Sequence, residues 1–154
     1  MQDKRYVICG TAPTDGIEEN PERDLRLRLW GNDGPDKITL RIEDIHKKMC
    51  KDVPDAFQDL LEIATYVYSA DQAIKREDDV DSFGNNWCRD LHFLIPVRNP
   101  GFWNGPEIQQ ALRSTLGFLS DDEYHFEFSC AVAIKIRTKS GPAGNTFKPR
   151  RFHV

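Results

Sequence analysis

The sequence predicts an α+β domain, a mainly antiparallel sheet with helices packed on one face. Three patterns carry that expectation. Residues 24–42 alternate apolar and polar on both sides of a turn cluster. Residues 54–76 repeat apolar side chains at three- and four-residue steps. Two further apolar runs flank a segment that carries a helix start signal and a helix stop signal. A hairpin followed by helices points to segregated layers, and the expected element order is β-β-β-α-α-β-α-β.

The elements follow in chain order. Tyr6-Val7-Ile8-Cys9 reads as a short buried strand ended by Gly10, and the Gly, Pro and Asp punctuation of residues 10–22 reads as loop. Asp24-Leu25-Arg26-Leu27-Arg28-Leu29-Trp30 has the strict period of two of a half-buried strand. After the turn 31–36, Lys37-Ile38-Thr39-Leu40-Arg41-Ile42 has it again, so the pair is expected to form a β-hairpin. Leu25, Leu27 and Leu29 would share a core face with Ile38, Leu40 and Ile42. Arg26, Arg28 and Arg41 would point the other way. Glu43–Cys50 suits a short helix.

Pro54 opens a longer helix, since proline is tolerated in a first turn and the acids Asp55 and Asp59 suit the positive end of the dipole. Its expected buried stripe is Phe57, Leu60, Leu61, Ala64, Val67, Tyr68 and Ile74. Residues 77–86 read as an acidic loop. Leu91–Ile95 is a compact apolar strand that Pro96 should stop. Asn104 and Glu107 fit a capping box for a helix ending at Gly117. Tyr124–Phe128 alternates as a last strand, with room to continue through Ile136.

Composition narrows the function classes. The chain has 154 residues, enough to bury a core without disulfide staples, and 16 aromatic residues to anchor it. No apolar run is long enough to span a bilayer, and the start Met1–Arg5 does not read as a signal peptide; the expected location is the cytoplasm. Cys9, Cys50, Cys88 and Cys130 form no Cys-x-x-Cys pair and are expected to be reduced, buried thiols. All 25 acidic residues lie within 1–128, which carry a net −10, whereas 129–154 carry +6. Residues 1–136 are therefore expected to form a single domain, with 137–154 a basic, flexible tail. The domain is too acidic for a dedicated DNA-binding module, so nucleic acid would be touched only through that tail.

Most candidate chemistry fails on spacing. There is no phosphate-binding glycine loop and no nucleophile elbow. His46 and Cys50 could share a helix face, but nothing nearby completes a zinc site, so neither metal nor cofactor is expected. His125 and Glu127 share a strand face and could pair as a base with its orienting carboxylate, although solvated polar pairs are commoner there. Asp71 falls in the apolar arc of its helix, where a carboxylate needs a partner. A brace to an arginine is the ordinary reading and catalysis the alternative. Arg98 and Trp103 lie in the loop 96–104 that follows a strand, a common position for binding residues; stapling of the loop to the core is the plainer role. Arg26, Arg28 and Arg41 on one sheet face could dock an acidic surface or simply be solvated.

Several segments in order carry a family resemblance: Asp24-Leu25-Arg26-Leu27-Arg28-Leu29-Trp30-Gly31, Leu40-Arg41-Ile42-Glu43-Asp44-Ile45, the stretch 60–73, Phe93-Leu94-Ile95-Pro96-Val97-Arg98, Phe102-Trp103, and 116–122. Together, over residues 5–128, they resemble the N-terminal region of long 7-cyano-7-deazaguanine-synthase-like (QueC-like) proteins of bacterial anti-phage defence loci. In that family the region precedes an ATP-pyrophosphatase (PP-loop) domain with a Ser-Gly-Gly-x-Asp-Ser motif and zinc cysteines. Neither that motif nor a matching cysteine set occurs here, so no adenylating residue carries over. The resemblance implies a non-catalytic accessory domain that docks a protein partner or a PP-loop domain. The competing expectation is a small free-standing enzyme or nucleotide-binding protein using Asp71, Arg98 and the His125/Glu127 pair.

Overall fold

A computed structural model describes residues 4–29, 53–75 and 88–131. Strands β1 (Lys4–Cys9), β2 (Leu25–Leu27), β3 (Asp90–Val97) and β4 (Glu123–Cys130) form one sheet in the order β2-β1-β3-β4. Every pairing in it is parallel. Helix α1 (Asp55–Ala73) lies between β2 and β3 in the chain, and the one-turn α2 (Pro100–Trp103) and α3 (Pro106–Ser120) lie between β3 and β4.

The architecture is a mixed α/β fold, which corrects the antiparallel α+β expectation. Alternation along Leu25–Leu29 reports which face of a sheet is buried, but not the direction of the neighbouring strand. Here Leu25 and Leu27 pair with Val7 and Cys9 of β1, in parallel. The expected hairpin partner 37–42 lies outside the described residues, as do Arg41, the helix 43–50, the loop 77–86 and the tail. The parallel signal was in the near-continuous apolar runs Val7–Cys9 and Leu91–Ile95, which is how strands covered on both faces read.

Right-handed crossovers fix the layers. Moving from β2 across β1 to β3, and onward to β4, puts α1 and α3 on the same face of the sheet. The return from β1 to β2 must use the other face, and residues 10–24 make it without a helix. The helix-covered face is apolar: Val7, Cys9, Leu91, Phe93, Ile95, Val97, Tyr124, Phe126 and Phe128 meet Ile63, Val67 and Ala70 of α1. Phe93, Phe126 and Phe128 stack in offset pairs 5.3–5.8 Å apart, a geometry that adds to their burial. The opposite face carries Tyr6, His92 and His125 in one row and Ile8, Leu94 and Glu127 in the next.

Several local expectations shift. Pro96 does not stop β3, which runs on to Val97; the last β1 pairing is Ile8 with Leu94, so the proline lies beyond the β1 ladder. The α3 helix passes through Gly117 to Ser120 and is closed by Asp121 in a left-handed conformation. Asn104 does not cap it. Its amide instead bridges both backbone groups of Phe128, while Asn99 caps α2 through the Phe102 N–H. The buried face of α1 is rotated from the expected stripe: Asp59, Glu62, Ile63, Tyr66, Val67 and Ala70 face inward, whereas Phe57, Leu60 and Tyr68 are 64%, 44% and 67% exposed.

Gly10 ends β1 at a φ of +55° in a tight spot: a methyl group there would stand 3.3 Å from the Pro96 ring and 3.3 Å from the Tyr66 hydroxyl. Gly10→Ala is expected to cost about 1–2 kcal/mol in backbone strain alone. At roughly 2–4 °C per kcal/mol for a chain of this size, thermal unfolding should reveal it.

Candidate functional site

The chain reverses its winding direction between β1 and β3, and their carboxyl ends are where open α/β sheets usually hold ligands. Here that position is filled by protein. Tyr66 and Pro96 close on Gly10, and burial, chiefly, holds the Tyr66 phenol well above its usual range. Beside them Arg98, the first residue after β3, is gripped by α1. Asp59, fully buried, accepts from the Arg98 N–H (3.1 Å), the Arg98 Nη1 (2.7 Å) and the Trp103 Nε1 (3.0 Å); Glu62 takes the Arg98 Nη2 at 2.9 Å. Burial opposes the guanidinium charge, but Glu62 and Asp59 more than offset it and its pKa is raised. Two carboxylates thus neutralise the guanidinium at this position.

Asp71 lies at the other end of β3. It pairs with Arg89 Nη2 at 2.5 Å, and Arg89 also holds the buried Asp122 and the Ile74 carbonyl. Asp71 is therefore a brace with a 42% exposed side chain. Nine residues of extended chain separate Arg89 from Arg98, roughly 30 Å at ~3.3 Å each, so Asp71 and Arg98 share no pocket. Arg26 is held by Glu19 through its Nε and Nη2, which lowers the Glu19 pKa, and Arg28 is exposed. Arg41, the third arginine of the expected face, lies outside the described residues.

The contacts of His125 among the described residues are with His92 and Asp90 rather than Glu127. Its ring stacks on His92 at 4.2 Å, and both Nε2 atoms approach Asp90 Oδ1, at 2.9 Å from His92 and 3.4 Å from His125. Burial pushes His92 below its ordinary pKa; the Asp90 charge opposes this, while His125 and Lys4 add to it. This cluster was not foreseen. Asp90-x-His92 was legible as two polar residues on one strand face, but the arrival of His125 depends on the β3–β4 register.

The thiols divide by burial. Cys9 is buried, which raises its pKa, whereas Cys130 is a free, exposed cysteine; only the first fits the expectation of a buried thiol.

Among the described residues an apolar concavity lies between α1 and α3. The helices stand apart, leaving a groove of about 650 Å³ floored by Ile63, Val67, Trp103 and Tyr124. Its lips are Leu60, Ala64 and Tyr68 on α1 and Ala111, Thr115 and Leu119 on α3. No residue of α3 is fully buried: Ile108, Leu112 and Leu116 are half-covered, while Phe118 and Leu119 are 87% and 73% exposed. Two of the polar groups in the lining are engaged within the protein, Asp71 by Arg89 and Ser120 with Tyr124.

No family model matches the chain, and neither a curated protein nor a solved structure does. Among the described residues no helix is long and apolar enough to cross a membrane.

Proposed function

We propose that this chain is a non-catalytic docking domain whose α1–α3 groove receives an amphipathic helix of a partner protein. The carrying observation is an apolar floor that no described residue covers, between two helices whose outward stripes, Leu60-Ala64-Tyr68 and Ala111-Thr115-Leu119, are spaced as a helix-in-groove site requires. Small-molecule pockets orient their ligands with a few convergent polar groups; here Asp71 and Ser120 are already engaged within the protein. The dispersal of Asp71, Arg98 and His125 weighs against the enzyme alternative.

The resemblance to QueC-like proteins makes the PP-loop domain of such a defence system the partner of choice. Binding of this chain to a purified QueC-like ATP-pyrophosphatase from the same genome, followed by calorimetry, tests the reading. Leu60→Glu and Leu119→Glu should each weaken the complex at least about tenfold, by desolvating a charge at the lip, with unchanged circular dichroism. No complex, or one indifferent to both substitutions, overturns it.

A further inference from the structure

We propose that Asp90, His92 and His125 form a binding site for a zinc-class divalent cation on the face of the sheet opposite α1 and α3. The site is built by two regularities. Alternation along β3 puts Asp90 and His92 on one face, and the parallel register sets His92 beside His125. One ligand atom from each residue lies within 4.8 Å of the other two.

The two spacings from the carboxylate oxygen to the imidazole nitrogens fit a small cation. Ligands about 2.0–2.1 Å from a zinc ion stand about 3.3 Å apart at a tetrahedral angle and about 2.9 Å apart at a right angle. Asp90 Oδ1 lies 2.9 Å from His92 Nε2 and 3.4 Å from His125 Nε2. That oxygen is buried and makes no hydrogen bond of normal geometry despite the two nitrogens beside it. A buried carboxylate oxygen left in that state calls for another partner, and a cation would supply one.

The donor set selects the metal class. Two imidazoles and one carboxylate suit zinc, cobalt or nickel, whereas magnesium and calcium prefer all-oxygen shells. Three protein ligands leave at least one position for water, the pattern of an open site. The imidazoles now lie 11° from parallel, so their lone pairs cannot converge on one point; loading must splay the rings. Side chains 19% and 35% exposed have room for that rotation.

The site is on the opposite face from the α1–α3 groove, so either proposal stands if the other fails. Full-length chain stripped with chelator is titrated with zinc chloride by calorimetry and with cobalt by visible absorption. About one equivalent should bind. The His92→Gln/His125→Gln double variant should lose affinity by at least about 100-fold, with its far-ultraviolet dichroism unchanged. On the unaltered chain, cobalt should shift the C2 proton resonances of two of the four histidines. Sub-stoichiometric binding, undiminished affinity in the double variant, or equal perturbation of all four histidines overturns the proposal.

Discussion

Arg89→Ala is expected to destabilise the protein by about 3–5 kcal/mol, the range found when a buried ion pair loses one partner. Arg89 is 8% exposed and joins three elements. Its backbone N–H and Nε donate to the two oxygens of Asp122 at 2.9 and 3.0 Å, and its Nη1 donates to the Ile74 carbonyl at 2.7 Å, closing the end of α1. Burial works against the cation, but Asp122 and Asp71 together raise its pKa, so it stays charged throughout the working range.

The weight falls on Asp122, whose side chain has no exposure, and not on Asp71, which water screens. Asp71→Asn should therefore cost under about 1 kcal/mol. Replacing both members of the buried pair, Arg89→Met with Asp122→Leu, should recover much of the loss, because it is the stranded charge that is costly. Urea unfolding of the four proteins decides it. An Arg89→Ala protein within about 1 kcal/mol of the parent would show that the pair contributes no more than a surface bridge.

The same pair marks where the sequence stops being readable. Asp71 has the expected arginine partner, but its side chain is 42% exposed and lies off the buried face of α1, so the apolar arc that periodicity suggested is not what demands the pairing. Arg89 was not legible as that partner, since it lies 18 residues on and meets Asp71 only once β3 is docked. The existence of α1, β3, α3 and β4 could be read from local pattern, and all four are present within a few residues of their expected bounds. Strand direction could not, because a period of two constrains faces and says nothing of neighbours. The face of α1 was misjudged for a related reason. This helix has apolar residues nearly all round, so the stripe with most leucine and aromatic side chains was favoured. The inward face is instead chosen by Asp59 and Glu62, which Arg98 and Trp103 draw in from 36 to 44 residues away.

Asp59→Ala is the second large effect expected, again about 3–5 kcal/mol. Asp59 is wholly buried and is the common acceptor for a backbone N–H, a guanidinium and an indole N–H. Its removal strands the Trp103 Nε1, on a side chain only 4% exposed, and each buried donor left unmade costs about 1–3 kcal/mol. Glu62→Ala should be milder, about 1–2 kcal/mol, since the Arg98 side chain it leaves is 32% exposed and can turn to water. Asp59→Asn separates charge from hydrogen bonding: an amide keeps one acceptor oxygen but turns an N–H₂ toward donors, so it should fall between alanine and the parent. The consequence reaches the groove. Trp103 forms part of the groove floor and packs on Phe128 at 5.8 Å, so freeing its indole loosens the surface on which a partner helix would rest. Partner affinity in Asp59→Asn should therefore fall further than in Glu62→Ala. Equal affinities in the two would separate the arginine clamp from the docking surface.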